Sequence, residues 1–268
     1  MATKFLLAKT PAEALDAKTS SAVFVAGGTE VNRLGSDIAE KADLIISLKK
    51  CGVLKSIEKN ADHVIIGSMC TFQQIIESAD VPAYLKEAAG FMASRTKRNM
   101  ATIGGNIAAA RSDSYIIPVL YAAGAMVMLS RKNGESVSAG IPEYLEKKDA
   151  HVNDMITSLI VPADIRVVSK RYSNTAQSHA VLTMSAAMLE DGIHMAGAVK
   201  NTGILHFCDL EKAFNEDPDI SEDKIIEMVR TCTGLETADD MFGSDAYKRY
   251  LIAVTAFDLH RKLKGREV

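Results

Sequence analysis

The sequence predicts an α+β chain in two parts, and three observations carry that prediction. Up to about residue 162, short β-prone runs alternate with segments that open on helix caps. The apolar run Leu159-Ile160-Val161 is closed by Pro162-Ala163-Asp164, which places a boundary at residues 162–166. From Leu210 onward the chain turns helical, so a mixed α/β part precedes a smaller α+β part. With 268 residues, 47% of them hydrophobic, the chain is long enough for two domains and can bury a sizeable core.

The elements follow in order. Thr10-Pro11-Ala12-Glu13 reads as a helix start, with Thr10 as N-cap, Pro11 at the first helical position, where its missing N–H costs nothing, and Glu13 three residues past the cap. Residues 21–25 form a β-prone run that ends in Gly27-Gly28, residues 31–38 read as a short helix or loop, and 44–48 as a buried strand. Val64-Ile65-Ile66 is a strand running into Gly67-Ser68-Met69-Cys70-Thr71, where Thr71 caps a helix over 72–78. A helix over 82–91 and a basic turn over 95–100 lead to a second glycine pair, Gly104-Gly105. Next come a helix over 116–123 and a strand over 125–130 that enters the hairpin turn Lys132-Asn133-Gly134. A strand is expected at 155–161 and an extended stretch at 167–172; 181–189 alternates less clearly, Asp191-Gly192 makes a turn before 194–199, and helices are expected at 221–230 and 244–264, the latter capped by Ser244.

Composition excludes several classes of function. A net charge of -3 offers no basic field to nucleic acid or to an anionic membrane. The longest apolar stretch, 118–129, is too short to span a bilayer, and Met1-Ala2-Thr3-Lys4 shows no targeting pattern, so a cytoplasmic protein is expected. Cys51, Cys70, Cys208 and Cys232 are far apart, with no C-x-x-C and no histidine at metal-ligand spacing, so no metal or iron–sulfur site held by this chain alone is expected. Neither G-x-S-x-G nor H-E-x-x-H occurs, and Glu216-Asp217 and Asp239-Asp240 read as cap and turn carboxylates, so no catalytic residue is assigned.

The two glycine pairs are the remaining chemical signal. In Phe24-Val25-Ala26-Gly27-Gly28-Thr29-Glu30-Val31 and in Thr102-Ile103-Gly104-Gly105-Asn106, paired glycines allow positive φ and close approach, so that consecutive N–H groups can converge on an anion. Neither is a G-x-G-x-x-G fingerprint or a P-loop, so a diphosphate gripped by two glycine loops is the expectation.

These segments, with Ile66-Gly67-Ser68-Met69-Cys70-Thr71 and the wider run from Arg98-Asn99-Met100 through Asn106-Ile107-Ala108, resemble the FAD-binding medium subunit of molybdenum hydroxylases of the xanthine dehydrogenase and carbon monoxide dehydrogenase type. The strand ending at Pro162 and the helix 244–251 resemble the same family, so the likeness runs close to full length. The resemblance implies a vanillyl-alcohol-oxidase-type (PCMH-type) FAD-binding domain over 1–165, built of two α/β subdomains at about 1–55 and 56–165, and a C-terminal α+β domain over 166–268. It implies that the two glycine segments hold the FAD diphosphate between the subdomains, with further contacts from Ile156 and Lys170. The family's Ser-Pro-x-x-Asp run, whose aspartate contacts the flavin, is here Arg111-Ser112-Asp113-Ser114-Tyr115. Tyr115 takes the place of the aspartate and Asp113 lies two residues early, so Asp113, Ser114 and Tyr115 are the candidate contacts there. His179 stands where the family has an aliphatic residue facing the flavin.

By the same resemblance, a molybdopterin-containing large subunit oxidises a purine or other heterocycle, a two-iron-two-sulfur small subunit relays single electrons, and FAD on this chain collects them for NAD or another acceptor. A non-redox assembly subunit with the same fold and a stand-alone flavin reductase or oxidase remain as alternatives.

Overall fold

Along residues 4–92, 94–175 and 178–265, which the computed structural model describes, the elements run β1 (Lys4–Leu7), α1 (Pro11–Asp16), β2 (Ala22–Val25), α2 (Ile38–Lys41), β3 (Leu44–Ser47), β4 (Ile57–Lys59), β5 (His63–Gly67), α3 (Phe72–Glu77), α4 (Ala83–Gly90), α5 (Arg95–Met100), α6 (Ile103–Ala109) and α7 (Ile117–Ala122). They continue with β6 (Met126–Ser130), β7 (Ser136–Gly140), α8 (Ile141–Glu146), β8 (Met155–Pro162), β9 (Arg166–Tyr172), β10 (Leu182–Leu189), β11 (Gly192–Val199), β12 (Gly203–His206), α9 (Cys208–Glu216), α10 (Glu222–Thr231) and α11 (Asp245–Leu263).

Local chemistry explains the helix starts. Thr10 Oγ1 accepts from Glu13 N at 3.1 Å, and the Glu13 carboxylate accepts from Lys9 N at 2.7 Å, so two donors left over at the start of α1 are satisfied. Thr71 and Gln74 form a reciprocal capping box on α3, with bonds of 3.2 and 2.9 Å. Ser221 and Ser244 cap α10 and α11.

Two readings of the sequence are corrected. Residues 95–100 are the helix α5, capped by Ser94, rather than a basic turn. Residues 102–106 are not a loop: Thr102 Oγ1 accepts from Gly105 N at 3.2 Å and Thr102 O from Asn106 N at 3.0 Å, so Gly104 and Gly105 form the first turn of α6. Residues 29–35 are a chain of turns ahead of α2.

The chain divides into two compact units. The first comprises residues 1–82, 94–109 and 124–163. It holds a parallel sheet of order β1-β3-β2, with Ile46 fully buried on the central strand. It also holds an antiparallel sheet of order β4-β5-β8-β6-β7. Ala8, Leu15, Ile46, Leu48 and Cys51 share one apolar core with Leu54, Met69 and Met155, which ties the small parallel sheet to the segments around β5 and β8. Between Met128 and Leu129 the β6–β8 register shifts, so Thr157 is an extra residue in β8; its carbonyl accepts from Ser68 N at 2.9 Å.

The second unit comprises residues 83–93, 110–123 and 164–268. Its antiparallel sheet has the order β12-β11-β10-β9. Met184 and Met195 of that sheet join Phe214, Ile225, Ile252 and Leu259 of α9, α10 and α11 in one core. Thr183, Ser185 and Ala187, which alternate with that face, are fully buried as well, so β10 is covered on both sides. α4 and α7 also pack on this sheet.

No helix among the described residues is long and apolar enough to cross a membrane.

Candidate functional site

The first glycine segment leaves the end of β2 and turns sharply at Gly28, whose φ is +75°. Asn32 holds the Gly28 carbonyl twice, from its backbone N and from Nδ2, both at 3.0 Å. In a trans peptide the C=O and the following N–H point opposite ways, so the Thr29 N–H is turned away from Asn32. Among the described residues none accepts a hydrogen bond from the N–H groups of Gly27, Gly28 or Thr29. Three consecutive unpaired donors around a left-handed residue form the kind of concavity that suits an anion. Gly27 serves a different need. A Cβ there would lie 1.6 Å from the Met100 carbonyl oxygen, so the loop is seated directly on the backbone at the end of α5.

The second glycine segment works by close packing. Neither Gly104 nor Gly105 has positive φ. Gly104 N donates to Ser68 O at 2.9 Å, and a Cβ on Gly104 would stand 2.6 Å from Ser68 Cβ. A Cβ on Gly105 would stand 2.8 Å from Thr102 Oγ1 and 3.7 Å from Ala26 Cβ. The glycines therefore let α6 lie against Ser68 and bring it beside the first segment. Their own amides are used within the protein, unlike those of residues 27–29.

A cavity of about 380 Å³ opens where these segments meet, a size within the range of small-molecule and cofactor sites. All of Phe24-Val25-Ala26-Gly27-Gly28-Thr29-Glu30-Val31 lines it, together with Thr102, Gly104, Gly105 and Ile156. Of the other two residues expected in the second segment, Ile103 is fully buried in the core and Asn106 does not line the cavity.

Three side chains that the sequence reading passed over complete the wall. Ser68 is 4% exposed, and its Oγ has no hydrogen-bond partner among the described residues. Lys18 donates to Thr19 O at 2.8 Å, and Lys148 to Ala109 O at 3.3 Å. Burial pushes both ammonium groups below the ordinary lysine value; around Lys148 the charges of Asp149 and Glu30 act in the opposite sense without offsetting it. Neither lysine has a carboxylate within salt-bridge distance among the described residues. An apolar hollow with unpaired backbone donors, an unpartnered hydroxyl and two desolvated cations fits a ligand that joins an anionic diphosphate to apolar ring systems, as FAD does. No local pattern marks Lys18 or Lys148 in the sequence, and Ser68 lies in the segment 66–71 that shares in the resemblance but is given no role by it; long-range packing brings the three together.

The remaining expected residues lie in the second unit. Asp113 is 5% exposed and accepts from Arg111 through both oxygens, at 2.8 and 2.9 Å, from Lys200 at 2.5 Å and from His179 Nδ1 at 2.8 Å. Burial alone would raise its carboxyl, but the bonds from Arg111 and Lys200 outweigh burial and hold it well below the usual carboxylate range. Ser114 Oγ accepts from Ile117 N at 3.2 Å, at the first residue of α7. Tyr115 is buried, with the Arg171 guanidinium 5.1 Å from its ring centre. Lys170 pairs with Asp258 of α11 at 2.8 Å, and His179 is exposed and tethered to Asp113.

Residues 1–164 match the family described as the FAD binding domain in molybdopterin dehydrogenase. The YgfM protein of Escherichia coli K12 is 31% identical over 241 residues, which cover 89% of this chain and 86% of YgfM. Quinoline 2-oxidoreductase from Pseudomonas putida 86 superposes with a TM-score of 0.83 at 16% identity, covering 99% of this chain and 98% of that one. Carbon monoxide dehydrogenase from Hydrogenophaga pseudoflava superposes with a TM-score of 0.81 at 20% identity, covering 100% and 99%. The chain therefore belongs to the family of FAD-binding domains of molybdopterin dehydrogenases, and it is an FAD-binding subunit of that class of oxidoreductases.

Proposed function

We propose that this subunit accepts single electrons from a two-iron-two-sulfur subunit and delivers them to NAD, within a complex whose molybdopterin subunit oxidises a heterocyclic substrate. The observation that carries the reading is the cavity itself, where the unpaired amides of residues 27–29 meet Ser68 Oγ, Lys18 and Lys148 in a domain of this family. A bound flavin can exchange electrons singly or in pairs, which is the chemistry needed between a cluster and a nicotinamide. This chain's residues bind and orient: the Gly27-Gly28-Thr29 amides take the diphosphate, Lys18 and Lys148 balance its charge, and Thr102, Gly104 and Gly105 shape the wall. Ile156 packs against a ring of the cofactor. On the family resemblance, Lys170, Asp113, Ser114 and Tyr115 are assigned to the flavin. Membership of a family described as the FAD binding domain in molybdopterin dehydrogenase supports the molybdopterin setting.

Anaerobic titration of the FAD-loaded chain with NADH tests the acceptor. Bleaching of the flavin by NADH without partners is expected; no reduction, in a chain that dithionite does reduce, would exclude NAD as the direct partner.

The lysines give a second expectation. Lys148→Met should lower FAD affinity about tenfold or more, the worth of one hydrogen bond to a charged group at about 1.5–3 kcal/mol. It should leave the FAD-free protein no less stable, since a desolvated cation is removed. Thermal unfolding with and without FAD separates the two effects.

A further inference from the structure

We propose that His206, Cys208 and Glu211 bind a thiophilic divalent metal ion, Zn²⁺ or a close analogue, at the start of α9. One ligand atom from each of the three side chains lies within 4.8 Å of the others. Cys208 Sγ is 2.9 Å from His206 Nδ1 and 3.8 Å from Nε2, and the Glu211 oxygens are 2.9 and 3.0 Å from Nε2. Tetrahedral zinc with bonds of about 2.0–2.3 Å sets its ligand atoms about 3.3–3.6 Å apart, close to the 3.8 and 2.9 Å at which Sγ and the carboxylate stand from Nε2, so side-chain rotations that bring both to that nitrogen close the set on one ion.

The backbone under the cluster is firmly placed. His206 ends β12, the next residue Phe207 is buried, and Phe207 N donates to Met195 O at 3.1 Å. Cys208 opens α9, and Glu211 follows one turn later on the same face. Met195 N holds one Glu211 oxygen at 2.6 Å and so aims the carboxylate. The Tyr121 ring, 5.2 Å from the His206 ring, limits the imidazole's swing. The Glu211 side chain is only 13% exposed, whereas Cys208 is exposed, so a negative group sits beneath a thiol and an imidazole that solvent can reach.

The carboxylate of Glu211 beside a thiol and an imidazole makes a ligand set that a cation would balance. Three protein ligands leave a fourth position open to water or to a partner's side chain. The His-x-Cys spacing falls outside the paired-cysteine patterns that identify zinc sites in sequence, and Glu211 completes the set only once α9 forms.

Titration of the untagged full chain with Zn²⁺ by calorimetry, and with Co²⁺ by absorbance against a flavin-matched blank, tests the site. One equivalent of metal and a thiolate-to-cobalt charge-transfer band are expected. Cys208→Ser should remove the band, and both it and His206→Ala should weaken binding by at least the roughly 10–100-fold that losing an outer partner costs. In the wild-type chain Zn²⁺ should protect Cys208 from iodoacetamide while Cys232 reacts as before, a readout that needs no variant. Absence of binding, a cobalt spectrum with no thiolate band, unchanged Zn²⁺ affinity in folded Cys208→Ser, or alkylation of Cys208 at the same rate with and without Zn²⁺ would each overturn the assignment.

Discussion

Gly27→Ala is expected to abolish flavin binding and to lower the thermal midpoint of the protein. The added Cβ would meet the Met100 carbonyl oxygen at 1.6 Å and its carbon at 2.6 Å, and both are backbone. That backbone has little room to yield, because Ala101 N donates to Lys97 O at 2.8 Å and Ala101 O accepts from Phe72 N at 3.0 Å. The loop must therefore move. Overpacking of this kind costs about 1–3 kcal/mol or more, at about 2–4 °C per kcal/mol for a chain of this size. Displacing two amides from the diphosphate, at about 1.5–3 kcal/mol each, lowers affinity about 100-fold or more. Gly28→Ala should do less harm: its φ of +75° costs an L-residue about 1–2 kcal/mol, and the added Cβ would stand 2.9 Å from Asn32 Nδ2, the end of a flexible side chain rather than backbone. Gly52→Ala, with nothing within 4 Å of the added carbon and ordinary φ, should stay within about 0.5 kcal/mol of wild type. Flavin content and thermal unfolding of the three variants separate a clash with backbone from left-handed strain beside a yielding side chain.

Asp113→Ala should cost about 3–5 kcal/mol, because it leaves Lys200 and Arg111 facing each other without their shared carboxylate, at side-chain exposures of 11% and 26%. The pH dependence carries a definite sign. The folded-state carboxyl titrates below its ordinary value of 3.8, so its contribution is fully present above that value and is lost as pH falls through and below it. Wild type should lose stability as pH drops below about 4, and Asp113→Asn should show a shallower loss over the same window. Denaturant melts at a series of pH values measure both. Equal slopes in the two proteins would mean that the cluster contributes nothing to acid stability.

Helix starts were legible because caps are local: Thr10 with Pro11 and Glu13, the Thr71 box and Ser244 all act within four residues. Buried strands such as β3 and β8 were legible as short apolar runs closed by polar or proline residues. The Gly104-Gly105 pair misled because glycine is a poor helix former, yet here α6 needs it to reach Ser68 and Ala26. Long-range partners left no local trace. Asp113 meets Lys200 across 87 residues, and segments 83–93 and 110–123 join the unit of the C-terminal strands. The first glycine segment lines the cavity residue by residue, whereas the place of Lys18 and Lys148 beside it, and of Ser68 from the segment 66–71, became visible only in the folded chain.

Titration of the FAD-free 268-residue chain with FAD, followed by flavin fluorescence, tests most directly whether the cavity over Gly27-Gly28-Thr29 holds the cofactor. Saturable binding at one FAD per chain is the expected result; a folded chain that shows no saturable binding of FAD would contradict the claim.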